Sequence, residues 1–245
     1  MRIYGLIGQS LGHSFSKRYF EDKFAHEQRF DCRYELFELP TIEHLTLLIE
    51  QHPDLIGFNV TIPYKQQIIP YLDEIDPEAL RVGAVNTVRV TRADGKFKLF
   101  GYNTDIEGFR KSLVGQPLPA AALVLGSGGA AAAVTFVLRQ WNVPYKIVSR
   151  RPHNEQLLYE QLTPAILTTH TWIINCTPVG MFPNVESKPS LPYEALTPQH
   201  FLYDLTYNPS VTAFLKEGAK RNCRTQNGLQ MLYLQADAAW RIWAV

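Results

Sequence analysis

The sequence predicts an α/β protein built as two lobes. Three observations carry that prediction. Strand-like and helix-like stretches alternate over about the first hundred residues, the alternation restarts after Gly115, and a glycine-rich turn near Gly126 joins an apolar strand to an alanine-rich helix. Strands alternating with helices imply β-α-β units and largely parallel sheets.

Taken in order, "RIYGLIG" is a strand, a helical stretch covers 18–27, "CRYELFEL" is a second strand and a helix covers 41–51. In "LIGFNVTIP" the apolar Phe58, Val60 and Ile62 alternate with the polar Asn59 and Thr61, the two-residue period of a strand with one polar face. A helix is expected over 65–72. Pro63 can open it at its first position, which puts Lys65 in the first turn, where a cation opposes the helix dipole. "AVNTVRVTRADGKFKLFGYN" is two strands joined by Asp94-Gly95, a hairpin turn. A boundary between lobes falls near "GYNTDIEGF". Beyond it, "AALVLGSGGAAAAVTFVLRQW" is strand, turn and helix, and "YKIVSRR", "WIINCTP" and "FLYDLTY" are further strands with helical patterns around them. The apolar excess of "GLQMLYLQADAAWRIWAV" predicts a helix packed against something large.

The chain has 245 residues, 46% of them apolar, and a formal net charge of +1 without long runs of either sign. That balance argues against a nucleic-acid or membrane-surface partner and for a small molecule. Cys32, Cys176 and Cys223 are far apart and form no C-x-x-C pair, which speaks against a zinc site and for a reducing compartment. The stretch 112–138 lacks charge but is broken by Pro117, Pro119 and the cluster Gly126, Gly128 and Gly129, so it does not read as a membrane span. "MRIYGLIG" meets Gly5 too early for a signal-peptide core, and the cytoplasm is the expected location.

Gly126, Ser127, Gly128, Gly129, Ala130 and Ala131 fit the G-x-G-x-x-G/A dinucleotide fingerprint, in which small residues admit a pyrophosphate to a helix N-terminus. The next strand ends in Ser149, Arg150 and Arg151, with no acid before Glu155. An acid there would accept from a ribose hydroxyl, whereas two guanidiniums suit a 2′-phosphate, so NADP is favoured over NAD. Polar residues cluster at expected strand ends: Ser14 and Ser16, Asn59 and Thr61 with Lys65, Asn86, and Asn103 with Asp105. Each has a plainer reading as a cap or turn residue, and Asp105 in particular suits the cap of a helix beginning at Ile106. Together they describe a pocket for a small polyol or hydroxy acid. In it a lysine held against a carboxylate could supply the proton that a reduced carbonyl needs.

"GHSFS", "FNVTIPYK", "GAVNT", "GYNTD", "VLGSGGAA", "INCTPVGM", "DLTYNP" and "NGLQMLYLQA" occur in the order and near the spacing of one family, and over nearly its whole length the chain resembles shikimate dehydrogenase. The resemblance implies NADP-dependent, reversible reduction of 3-dehydroshikimate to shikimate in aromatic amino-acid biosynthesis. It implies a mixed, mostly parallel substrate domain formed by 1–105 plus about 226–245, a Rossmann-like domain formed by 106–225, and a cleft between them. Lys65 and Asp105 would be the catalytic pair. Ser14 and Ser16 would hold the substrate carboxylate with Tyr207 nearby, and Asn59, Thr61, Asn86 and Gln235 would surround the ring. Gly126, Ser127, Gly128, Gly129, Ala130, Ser149, Arg150 and Arg151 would hold NADP, with Thr177, Leu205 and Gly228 on the nicotinamide side. No metal is implied, and the expected assembly is a monomer or homodimer.

The chain departs from the family in two places. Lys17 and Arg18 follow Ser16 where a proline is common, and Ser149-Arg150-Arg151 replaces the more usual Asn-Arg-Thr. The 153–163 region is expected to be trimmed. Two other readings are a quinate or quinate/shikimate dehydrogenase using NAD, and a non-catalytic ligand sensor. The absence of an acid after "YKIVS" and the presence of both serines speak against the first; the presence of both Lys65 and Asp105 speaks against the second.

Overall fold

The structure is a computed structural model that describes residues 1–12 and 14–244; His13 of "GHSFS" and Val245 lie outside the described residues. The chain divides into two compact units, Met1–Glu107 with Gln235–Val245, and Gly108–Leu234. The divisions fall inside helices.

In the first unit the chain runs through β1 (Arg2–Gly8), α1 (Phe15–His26), β2 (Cys32–Glu38), α2 (Leu45–Gln51), β3 (Leu55–Val60) and α3 (Tyr64–Gln67). It continues through β4 (Glu74–Ile75), α4 (Pro77–Val82), β5 (Thr87–Ala93), β6 (Lys96–Tyr102) and α5 (Asp105–Ser112). The strands form one sheet in the order β2-β1-β3-β5-β6-β4, in which β3, β5 and β6 pair antiparallel and the others parallel. Asp94 and Gly95 both have positive φ, the backbone the hairpin between β5 and β6 demands. The pairing Ile7↔Val60, Asn59↔Thr87 and Thr87↔Tyr102 lines up the ends of β1, β3 and β6 with the start of β5. The segments that follow β1, β3 and β6 and the one that precedes β5 therefore meet at one end of the sheet.

Both faces of this sheet are covered. One carries Ile7, Leu45, Ile49, Phe58, Tyr64 and Val88, and the other an aromatic cluster of Tyr4, Phe20, Phe24, Tyr34, Trp240 and Trp243. Tyr4 and Leu6 pack in the second cluster and Ile7 in the first, the alternation expected of a strand covered on both sides. Trp240 and Trp243 come from the last helix, α9 (Leu229–Trp243). Gly57 makes room for it, since a Cβ there would stand 2.4 Å from the Trp243 ring, whose Nε1 donates to Val88 O at 2.9 Å.

The second unit holds β7 (Ala122–Leu125), α6 (Gly129–Gln140), β8 (Tyr145–Val148), α7 (Pro164–Thr169), β9 (Trp172–Asn175), β10 (Phe201–Asp204), α8 (Ala213–Ala219) and β11 (Arg224–Asn227). Its five strands are all parallel, in the order β11-β10-β9-β7-β8. Strand order reverses at β7, the position beside which ligands sit in doubly wound sheets. Three short elements, β4, α4 and β11, are absent from the sequence reading. β11 pairs with β10, so residues 226–227 belong to this sheet and not with the C-terminal helix.

Candidate active site

Lys65 and Asp105 meet in the first unit. Lys65 Nζ donates to Asp105 Oδ2 at 2.6 Å, with side chains 17% and 7% exposed. The other carboxylate oxygen, Oδ1, accepts from Asn86 Nδ2 at 2.9 Å. Asp105 is the first residue of α5, yet it does not cap it, because Asn103 Oδ1 accepts from Ile106 N at 3.3 Å. With Asn103 capping, both oxygens of Asp105 are free for Lys65 and Asn86.

The expected helix over 65–72 is shorter than the sequence suggested. α3 is a single turn of four residues with Pro63 as its N-cap, and a 3-10 turn over Ile69–Tyr71 follows. Lys65 thus stands in the first and last turn alike, and no dipole argument applies to it. What positions it is Asp105. Ile62 lies beyond β3 and is exposed rather than on the apolar face.

Asn86 is the junction of a buried polar set. Its Nδ2 lies within 3.0 Å of Thr104 Oγ1 and 3.4 Å of Gln235 Oε1. Asn59 donates to Asn86 O at 3.3 Å and to Thr87 Oγ1 at 3.1 Å, and accepts from Tyr34 OH at 2.8 Å. Thr61 follows β3 on the same edge, its N–H bonded to Ile7 O. Ser14 caps the twelve-residue α1, its Oγ accepting from Ser16 N at 3.2 Å. Lys17 lies 3.6 Å from Glu35 and 3.9 Å from Glu21, and Arg18 lies 3.9 Å from Asp22, so the basic pair that departs from the family pattern is offset by nearby acids. Tyr207 belongs to the second unit.

In the second unit the pairing of Leu125 with Val148 and Asn175, of Asn175 with Asp204, and of Asp204 with Asn227 sets the carboxyl ends of all five strands in a row. Gly126, Ser149, Thr177, Leu205 and Gly228 lie one or two residues past those ends. Gly126 has φ +105 and a Cβ there would stand 3.0 Å from Thr177 Cγ2, so the fold itself requires glycine. At Gly128, the N-cap of α6, a Cβ would meet nothing within 4 Å among the described residues. Packing within the protein gives no reason for that glycine; a group approaching the uncapped N–H groups of Gly129 and Ala130 would. Ser127 Oγ lies 3.4 Å from Ser149 Oγ, which also takes the N–H of Arg151 at 3.2 Å, while Arg150 and Arg151 are exposed beside it. Gly228 allows the chain against Leu205, where a Cβ would stand 2.0 Å from the carbonyl oxygen. A small-residue helix N-terminus with two exposed guanidiniums at the neighbouring strand end is the donor set a 2′-phosphorylated dinucleotide needs.

Beneath these loops lies a buried carboxylate the sequence reading did not single out. Asp204 Oδ1 accepts from Asn175 Nδ2 and Thr206 N, each at 3.0 Å, and Oδ2 accepts from Thr212 Oγ1 at 2.6 Å. Burial pushes its pKa from 3.8 up to about 6, only partly opposed by those three donors. Asn175 Oδ1 in turn takes the Thr177 hydroxyl at 2.6 Å. Tyr34, Thr87 and Thr104 also escaped the sequence reading. The last two lie within "GAVNT" and "GYNTD", next to Asn86 and Asp105.

A family model described as shikimate dehydrogenase substrate binding domain matches residues 6–88. The chain is 37% identical to a protein of Caldicellulosiruptor bescii named shikimate dehydrogenase (NADP(+)), over 99% of this chain and 89% of that one. A protein of the same name from Methanocaldococcus jannaschii is also 37% identical, over 99% and 91%. Among solved structures, shikimate 5-dehydrogenase of Thermus thermophilus in complex with NADP(H) and shikimate superposes with a TM-score of 0.85 at 31% identity, covering 99% of this chain and 93% of that one.

Proposed function

The chain belongs to the shikimate dehydrogenase family, and we propose that it catalyses the reversible NADP(H)-dependent reduction of 3-dehydroshikimate to shikimate, with Lys65 and Asp105 moving the proton. The observation that carries this reading is the 2.6 Å contact between Lys65 Nζ and Asp105 Oδ2, with Asn86 on the other oxygen.

What the nicotinamide supplies when bound is a hydride acceptor and donor. The protein's part is the proton. As the carbonyl carbon is reduced, negative charge develops on its oxygen, and the Lys65 ammonium gives a proton to that oxygen. In the reverse direction Lys65 takes the hydroxyl proton as the carbonyl forms. Asp105 holds Nζ in place and stabilises the ammonium, and Asn86 keeps Asp105 from turning. Ser14 and Ser16 are assigned to the substrate carboxylate, and Asn59, Thr61, Asn86 and Gln235 to its hydroxyls. The substrate-binding part is assigned to 1–105 with the C-terminal helix from Gln235, and the dinucleotide-binding part to the second unit. There the turn over 126–130 takes the pyrophosphate, Ser149, Arg150 and Arg151 take the 2′-phosphate, and Thr177, Leu205 and Gly228 face the nicotinamide. Among the described residues no helix is long and apolar enough to cross a membrane. We place the reaction in the cytoplasm.

Initial rates with shikimate or quinate, each with NADP⁺ or NAD⁺, test the reading. The highest kcat/KM is expected for shikimate with NADP⁺. A higher value for quinate with NAD⁺ would overturn it.

A further inference from the structure

Tyr34 lies on β2 with its ring stacked on Phe20, centroids 4.5 Å apart and planes 8° from parallel. It is 1% exposed. A buried phenol ordinarily needs a partner for its hydroxyl. Tyr4, in the same aromatic cluster, has none among the described residues. Tyr34 donates its hydroxyl to Asn59 Oδ1 at 2.8 Å. Burial holds its pKa well above the ordinary tyrosine value, so the phenol stays protonated and a donor.

That donation decides what Asn59 has left to give. Both hydrogens of its amide are used, on Asn86 O and Thr87 Oγ1. Its oxygen has two lone pairs, one taken by Tyr34. A flipped amide would set Oδ1 against the Asn86 carbonyl oxygen and leave the Tyr34 proton facing an NH₂ group. The connection continues beyond Asn59, since Thr87 Oγ1 donates to Asn86 Oδ1 at 3.2 Å and Asn86 Nδ2 holds Asp105.

We propose that Tyr34 is a positioning residue for the substrate: its hydroxyl fixes Asn59 as a hydrogen-bond acceptor for a ring hydroxyl. The ligand class it serves is a polyol acid, its hydroxyl read by Asn59 and its carboxylate by Ser16. This rests on the reading in which Asn59 and Ser16 face the substrate.

Tyr34→Phe keeps the ring stack and removes one hydroxyl. Loss of one neutral hydrogen bond corresponds to about a fivefold rise in KM for shikimate. KM for NADP⁺ and the pH dependence of kcat should stay within about twofold, because Lys65, Asp105 and the second unit are untouched. Tyr193→Phe is the control for stability alone. It deletes a buried phenol that donates to Pro189 O at 2.7 Å in the second unit, and should lower the melting temperature without moving KM for shikimate. On an Asn59→Ala background, Tyr34→Phe should add less than about twofold. An unchanged KM for shikimate in Tyr34→Phe, or the full effect on the Asn59→Ala background, overturns the proposal. If the wild-type protein does not oxidise shikimate with NADP⁺, the functional reading falls, and Tyr34 is judged by thermal unfolding. Non-additive melting shifts for Tyr34→Phe and Asn59→Ala then uphold the coupling, and additive shifts overturn it.

Discussion

Replacing Asp204 by Asn should change how stability depends on pH. The carboxyl is fully buried, and its pKa is about 6 in the folded protein against 3.8 as the ordinary value. A carboxyl raised by folding contributes stability that is fully present below the unfolded value and is lost as pH rises through the folded one. At about 1.36 kcal/mol per unit, wild type should lose roughly 2–3 kcal/mol relative to Asp204→Asn between pH 4 and pH 7, with little further change above. Asn is a fair probe of charge: its oxygen can still accept from Asn175 and Thr206, and its NH₂ can donate to Thr212 Oγ1, which already accepts from Leu215 N. Scanning calorimetry of both proteins across that range reads the effect. The difference in melting temperature should move by roughly 5–10 °C. Every other titrating group is common to the two proteins and cancels. Parallel melting curves from pH 4 to pH 7 would refute the reasoning, because they would mean that Asp204 has the same proton affinity folded and unfolded.

Arg150→Ala with Arg151→Ala should raise KM for NADP⁺ by about tenfold or more while changing KM for NAD⁺ less than about threefold, since charge-assisted bonds to a phosphate are lost in one case only. Equal effects in steady-state kinetics would mean that the guanidiniums do not read the 2′-phosphate. Tyr4→Phe removes a buried hydroxyl that has no hydrogen-bond partner among the described residues. It should leave stability unchanged or raise it, by up to about 1–3 kcal/mol, and a lowered denaturation midpoint would show that the hydroxyl is bonded after all.

Much of the fold is visible in the sequence because its strands are apolar and its turns carry their own chemistry. Asp94-Gly95 specifies the hairpin and Gly126 specifies the turn after β7, each by a backbone angle few other residues adopt. β11 is hidden because "RTQN" has no apolar period; it is an edge strand, half solvated, held by its ladder to β10. The length of α3 is hidden because Lys65 is positioned by Asp105, forty residues on, and not by local helix propensity. The site shows the same division. Lys65, Asn86 and Asp105 are polar groups at strand ends and stand out. Tyr34 and Asp204 do not: a tyrosine in an apolar strand looks like core, and only the register of β1, β2 and β3 brings its hydroxyl to Asn59. Asn103 is the instructive case, since the sequence offered Asp105 as the cap and the structure gives the cap to its neighbour two residues earlier.

The amine of Lys65, 2.6 Å from Asp105, is the group proposed to move the proton. Steady-state kinetics of Lys65→Ala with shikimate and NADP⁺ test that role most directly. Loss of a general acid-base group should lower kcat by about 10²–10⁴-fold with a much smaller change in KM. A variant that keeps the wild-type kcat would contradict the claim and remove Lys65 from the chemistry.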